Sequence, residues 1–175
     1  MHHEDFTGQF GKFWARYRNY PWYQEDVKKQ QETAERHGYN KVSQLKLAVV
    51  KKIRDFVAGG GYLFSMCSAP DSFDIALAAD GIDICDVMFD GDGMTPNAAE
   101  KLNYDNCLAF TDFTISTNPQ EYEVSNIDVT QNRSKSVKES NDYFLLFDFS
   151  AKWDPVPTML TQSHERLIKG FRMSS

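Results

Sequence analysis

The sequence predicts a three-layer α/β domain with a strand-rich second half. Three observations predict it: an amphipathic helix that ends in a glycine run, a short apolar strand after that run, and a second helix followed by a second apolar strand. This alternation of helices and strands is typical of layered α/β proteins. The 175 residues suffice for one domain with a core, so we interpret residues 1–175 as a single domain, incomplete at both ends.

The first predicted helix lies in an aromatic segment near the amino end. Its apolar side chains, Phe10, Phe13, Trp14 and Tyr17, recur at helical spacing. Pro21 cannot donate a backbone hydrogen bond, and we expect it to stop this helix.

The second predicted helix, in "SQLKLAVVKKIRDFVAGGG", has the strongest pattern. Ser43 is the expected N-cap, and the glycines at 59–61 are a strong stop signal. The apolar face of this helix consists of Leu45, Val49, Ile53, Phe56 and Val57.

A strand, a helix and another strand are predicted next. "YLFSM" (62–66) is apolar enough for a strand covered on both faces. "PDSFDIALAAD" (70–80) carries Pro70 near its first turn, where proline is tolerated. "IDICDVM" (82–88) is the next strand candidate after Gly81.

The second half contains four β-rich segments separated by polar loops. The longest such loop, "QNRSKSVKESND" (131–142), is predicted to be exposed. The β-rich segments are "CLAFTDFTIS" (107–116), "YEVSNIDV" (122–129), "YFLLFDFS" (143–150) and "VPTMLTQS" (156–163).

Charge and composition exclude several classes of protein. The net charge is −6 and no basic block exceeds two residues, which argues against nucleic-acid binding. No apolar run approaches the length of a membrane span, and no signal peptide is visible. The chain as given is therefore expected to be cytoplasmic, with export left open if an amino-terminal part is missing. The three cysteines lack CxxC spacing, so we predict neither a disulfide framework nor a zinc site.

Cys67 lies between the first predicted strand and the helix after it, where a nucleophile elbow would place its nucleophile. Such a turn favours small residues two positions before and after, here Ser65 and Ala69. The helix amino terminus would favour a thiolate, and backbone N–H groups after Cys67, beginning at Ser68, would hold an oxyanion. The alternative is that Cys67 is a small buried apolar residue.

This arrangement, over residues 43–88, resembles the class I glutamine amidotransferase-like superfamily, including its trehalose-utilisation-type branch. The resemblance implies a flavodoxin-like sheet and amidotransferase chemistry at Cys67. Four further segments are informative: "HHEDFTGQFGKF", "DIALAADGIDICDVMFDGD", "KLNYDNCLAFTDFT" and "AKWDPVPTMLTQSHERLIKGF". Through them nearly the whole chain resembles, more closely, longer Bacteroidetes proteins labelled asparagine synthetase B.

The asparagine synthetase label implies asparagine synthesis from aspartate, glutamine and ATP, but its motifs are absent. Those enzymes carry cysteine directly after the initiator methionine, where this sequence has His2. They also carry an SGG-type pyrophosphate loop, and the glycine run at 59–61 precedes a predicted strand instead of opening a helix.

Four further residues are candidates for the site. The resemblance makes His164 the candidate base and Glu165 its acid, although the family places the acid two residues after the histidine; a surface histidine is the alternative. Asp90 and Asp92 are turn residues that follow a predicted strand, at the sheet edge where α/β proteins bind ligands. They would line a substrate pocket beside Cys67.

No metal or cofactor is predicted. In "HHED", residues 2–5, His3 and Asp5 would share a face of a strand, which supplies two metal ligands where three or four are needed. "FDGDGMTPN" fails as a calcium loop because, counted from Asp90, it has Met94 fifth and Thr95 sixth.

Two functions remain open: an enzyme acting on amides or esters, or transferring ammonia, through Cys67, and a non-catalytic domain that binds a small molecule. The chain lacks a convincing Cys–His–Glu set, which favours the binding domain. The resemblance implies further sequence on both sides. We therefore expect a chain that is marginally stable or self-associating, inactive on glutamine, and a partial product of a longer gene.

Overall fold

The computed structural model of the chain describes residues 1, 4–9, 11–66, 69–118 and 125–127. These residues form five α-helices and two short 3₁₀ helices. The α-helices are α1 (Gly11–Tyr17), α2 (Pro21–Arg36), α3 (Val42–Ala58), α4 (Ala69–Ala78) and α5 (Val87–Asp90), and the 3₁₀ helices are Ala98–Glu100 and Tyr104–Asn106. Among these residues, no helix is both long enough and apolar enough to cross a membrane.

The predicted three-layer α/β fold is wrong for the described residues, which contain no β-strand. Their β structure includes an isolated antiparallel bridge between Ile115 and Ser125. The predicted strand at 82–88 fails because side chains bind its backbone amides: Asp83 N donates to Thr95 Oγ1 at 3.0 Å, and Cys85 N donates to Asp83 Oδ1 at 2.9 Å. Those amides are unavailable to a strand ladder.

The amphipathic helix α3 is confirmed. It ends at Ala58 with Gly59 as its C-cap, as the glycine run predicted, and Gly60 follows with a φ of +93°. Its N-cap position is occupied by Lys41 and not Ser43, and the Lys41 side chain makes no capping hydrogen bond. That side chain is engaged elsewhere, as described below.

Helix α2 was not predicted, because its sequence is mostly polar and few of its side chains are buried. Tyr23 and Ala34 are its buried residues. Pro21 begins this helix, where its missing N–H costs nothing, and α1 has already ended at Tyr17. The prediction that Pro21 stops the preceding helix is therefore wrong, because Pro21 begins the next one.

Helix α4 lies at the centre of the core and confirms the predicted helix, with Pro70 as its second residue. On one side Phe73 and Leu77 pack with Phe6 and Val50. On the other side Ile75 packs in a cluster that includes the two 3₁₀ segments and the chain beyond them.

The buried carboxylate of Asp74, on α4, explains why the segment at 107–116 forms no regular strand. It accepts hydrogen bonds from the backbone N–H groups of Leu108, Ala109 and Phe110, at 2.7–2.9 Å. Three successive amides pointing at one carboxylate cannot alternate between two strand neighbours. The apolar pattern was correct about burial and wrong about backbone conformation.

Candidate functional site

The predicted catalytic residues lie outside the described part of the chain. This applies to Cys67, Ser68, His164 and Glu165, as it does to the predicted loop at 131–142. The structure does describe both flanks of Cys67: Ala69 begins α4, and its N–H donates to Met66 O at 3.2 Å. The nucleophile at this turn therefore remains a prediction.

Asp90 and Asp92 lie around the ammonium group of Lys41. Lys41 Nζ is 2.5 Å from Asp83 Oδ2 and 3.1 Å from Asp90 Oδ2, and it also contacts Asp92 Oδ1. We call these four residues the Lys41 cluster. The two predicted ligand-binding aspartates thus serve first as partners of a lysine that the sequence analysis did not single out.

Local backbone geometry brings the cluster together. Lys41 directly precedes α3, and Asp83 follows the turn at Gly81, which has a φ of +80°. Asp90 ends α5, and Gly91 then adopts the left-handed region at a φ of +89°, which sends the chain back toward the lysine.

The cluster holds one cation among three carboxylates. Burial by itself lowers the pKa of Lys41, but its hydrogen bonds to the aspartates outweigh burial and raise that pKa. The hydrogen bond to Lys41 lowers the pKa of Asp92, whereas burial raises the pKa of Asp90 despite its contact with the lysine. Of these two carboxylates, Asp90 therefore accepts a proton more readily.

Cys85 lies beside this cluster, fully buried. Burial, followed by the charges of Asp83 and Asp90, raises its pKa, so the thiol stays protonated at neutral pH. Its Sγ lies 3.4 Å from Thr7 O. Cys85 is thus a poor nucleophile.

The same residues include a set of possible metal ligands. Ligand atoms of Asp83, Cys85 and Asp90 lie within 4.8 Å of one another. The ammonium group of Lys41, however, already takes the position between the carboxylates that a cation would occupy. The arrangement is that of an ion-pair network.

In the "HHED" segment, Asp5 serves the local backbone. Its carboxylate accepts the N–H groups of Thr7 and Gly8, at 3.0 and 3.1 Å, and lies 3.4 Å from Lys46 Nζ. Burial alone would raise the pKa of Asp5, but Lys46 and Thr7 lower it. His2 and His3 are outside the described residues.

A cleft of about 310 Å³ opens next to the Lys41 cluster. Residues of the amino-terminal segment, α3, α4 and the following loop line it. Phe6, Leu47 and Ile82 are among its apolar residues, and its polar residues are Thr7, Lys41, Ser43, Gln44, Asp83 and Thr95. A mainly apolar wall with a few polar groups is the usual composition of a small-molecule site.

Two hydrogen-bond donors at this cleft are available to a ligand. Gln44 Oε1 accepts the N–H of Asn40 at 3.2 Å, while Gln44 Nε2 has no partner among the described residues. Thr95 Oγ1 accepts from Asp83 N at 3.0 Å, which leaves its hydroxyl hydrogen free to donate.

Comparison with known proteins gives no match, whether with family models, curated proteins or solved structures. Sequence reasoning missed Lys41, Gln44, Asp83 and Thr95. The single usable signal was the concentration of aspartates at 83–92, which needs a nearby cation.

Proposed function

We propose that this chain binds a small neutral or cationic molecule, without covalent chemistry, in the cleft beside the Lys41 cluster. The observation that carries the proposal is the cleft itself, in which an apolar wall faces the polar groups of Gln44, Thr95 and Asp83. Its volume of about 310 Å³ suits a compact ligand.

The charge of the ligand follows from the pairing of Lys41. Lys41 is the cation among the described residues that line the cleft, and it already contacts three carboxylates. A negatively charged ligand would have to compete with those carboxylates and would meet their excess negative charge. A neutral amide or an amine avoids that repulsion.

Hydrogen bonding sets the expected head group. Gln44 Nε2 and the Thr95 hydroxyl can donate to a carbonyl oxygen, and the Asp83 carboxylate can accept from an amide or ammonium nitrogen. A primary amide satisfies both kinds of group at once. The hydrocarbon part of the ligand would lie against Phe6, Leu47 and Ile82.

The test compares three ligands of equal chain length, hexanamide, hexylamine and hexanoate, by isothermal titration calorimetry. We expect the amide and the amine to bind and hexanoate to bind at least about tenfold more weakly, a difference of about 1.4 kcal/mol. Gln44→Ala should weaken amide binding, whereas Gln31→Ala, an exposed glutamine on α2, should not. Equal binding of all three ligands, or none, would contradict the proposal.

A second function rests on the start of α4. Because that helix begins two residues after Cys67, its positive end would favour a thiolate there, and the backbone N–H of Ser68 would favour an oxyanion. The thiolate would attack an amide carbonyl carbon, ammonia would leave with the C–N electron pair and a proton, and water would hydrolyse the thioester. His164 and Glu165 are the proposed base and its acid.

Alkylation by iodoacetamide across pH, mapped by mass spectrometry, tests this second function. Cys85 and Cys107 are buried and serve as internal controls that should react only after unfolding. A catalytic Cys67 should alkylate well below pH 8. If the alkylation rate of Cys67 depends on pH as that of an ordinary thiol does, the catalytic function is contradicted and the binding function remains.

A further inference from the structure

Residues 61–66 present an apolar face to solvent. Tyr62 is 97% exposed, Phe64 72% and Met66 39%, while Leu63 between them packs against the cluster of Phe6 and Val50. This alternation with a period of two is the pattern of an extended chain that has one face on the core.

In residues 62–66, one backbone edge is paired with Met1, and the other makes no backbone hydrogen bond with the described residues. The unpaired stretch begins after Gly61, whose N–H donates to Phe56 O at 2.9 Å. The amino nitrogen of Met1 donates to Phe64 O at 2.6 Å, and Met66 N donates to Met1 O at 3.0 Å. In an extended chain, neighbouring residues direct their N–H and C=O groups to opposite edges. Leu63 and Ser65 therefore present theirs on the second edge, where they make no backbone hydrogen bond with the described residues.

The stretch of sequence around this edge carries no charged side chain. The stretch from Phe56 to Pro70 contains no Asp, Glu, Lys or Arg, in a chain of net charge −6. Proteins commonly protect exposed strand edges with lysine, proline or an inward-pointing charge, and residues 61–66 have none of these. Two copies of an acidic chain can approach each other here without bringing like charges together.

We infer that the free edge of residues 62–66 pairs with the same edge of a second copy of this chain. The pairing would be antiparallel about a two-fold axis at Phe64, because a two-fold interface uses the same surface on both copies. Leu63 would then exchange hydrogen bonds with Ser65 of the second copy, and the two Phe64 rings would face each other. Tyr62 would lie opposite Met66 of the second copy, which is a favourable sulfur–aromatic pair.

This surface suits a second copy better than an unrelated peptide because its sequence is complementary to itself. When two copies of the segment run antiparallel, each of the large apolar side chains of Tyr62, Phe64 and Met66 lies opposite a large apolar side chain of the other copy. Two strands alone are only marginally stable, so we expect a weak dimer that depends on concentration.

Sedimentation velocity on the full chain, from low micromolar to several hundred micromolar, tests the dimer. The wild type should shift from monomer to dimer. Phe64→Lys would place two positively charged side chains opposite each other in the dimer, so this variant should stay monomeric over the same range. Val87→Lys, at a 55% exposed residue on α5, makes the same chemical change elsewhere and should dimerise like the wild type. Circular dichroism should show that all three are equally folded.

Hydrogen exchange identifies the edge that is used. The amides of Leu63 and Ser65 should gain protection as concentration rises, and those of α2 should not. A wild type that stays monomeric, or a Phe64→Lys variant that dimerises normally, would overturn the inference. Protection of both amides at every concentration would also overturn it, because the chain itself or another partner would then cover the edge.

Discussion

Lys41 Nζ lies 2.5 Å from Asp83 Oδ2 and thereby joins the start of α3 to the loop that follows α4. The lysine side chain is 18% exposed, and Asp90 and Asp92 complete its surroundings. This ion pair forms one wall of the cleft in which we propose that a ligand binds.

We expect Lys41→Met to lower the free energy of unfolding by about 2 kcal/mol, because it leaves carboxylates facing one another without a cation. Urea unfolding measures this. Lys28→Met is the matched control, because Lys28 forms an exposed ion pair with Glu32. Its loss should lower the free energy of unfolding by less than about 0.5 kcal/mol. Adding Asp90→Asn to Lys41→Met should restore part of the loss; no restoration would mean that repulsion is not the cause.

Acid should weaken the contribution of Asp5. Its pKa is lowered in the folded chain, so its stabilising effect is present above its ordinary value of 3.8 and is lost as pH falls through the folded pKa. The difference in unfolding free energy between wild type and Asp5→Asn should therefore be constant above about pH 5 and shrink below pH 4. Asp55→Asn, at an exposed site, is the control. A difference that does not change with pH would show that Asp5 is not held as a carboxylate.

Asp74→Ala should be the most destabilising of these substitutions, because three backbone N–H groups lose a charged acceptor. We expect a loss of about 3 kcal/mol or more. Hydrogen exchange should show faster exchange at Leu108, Ala109 and Phe110 in the milder variant Asp74→Asn. The same amides in Asp26→Asn, an exposed site on α2, should exchange as in the wild type.

Gly91→Ala should cost about 1 kcal/mol, because Gly91 has a φ of +89° that a Cβ disfavours. No neighbouring atom lies within 4 Å of the added Cβ, so the cost comes from the backbone alone. Gly93→Ala is a close control, because Gly93 has equal space and no positive φ. Thermal unfolding of the two variants measures the difference; equal values would mean that the turn between Asp90 and Asp92 tolerates a side chain.

The sequence predicted the helices α3 and α4 because their signals are local. Periodic apolar residues and a glycine stop act within a few turns of chain. The predicted apolar face of α3 was wrong in part, because Val49 and Phe56 are 43% and 60% exposed, whereas Val50, outside that face, is fully buried. The predicted strands failed because an apolar run does not reveal whether distant side chains, such as Asp74, will bind its amides.

The site was less accessible from sequence than the helices. Lys41 meets Asp83 and Asp92 across 42 and 51 residues, and no local spacing encodes such a contact. Asp90 and Asp92 were predicted to bind a ligand. They lie near a cleft, but their carboxylates form ion pairs with Lys41. The roles of Cys67, His164 and Glu165 stay predictions.

A titration followed by nuclear magnetic resonance tests the central claim, ligand binding in the cleft, most directly. On adding hexanamide to the ¹⁵N-labelled chain, we expect saturable shifts at the Gln44 side-chain amide and at the backbone amides of Gly81 and Thr95. Thr95→Val should weaken them. Saturable shifts confined to other surfaces, or no saturable shift with either hexanamide or hexylamine, would contradict the account.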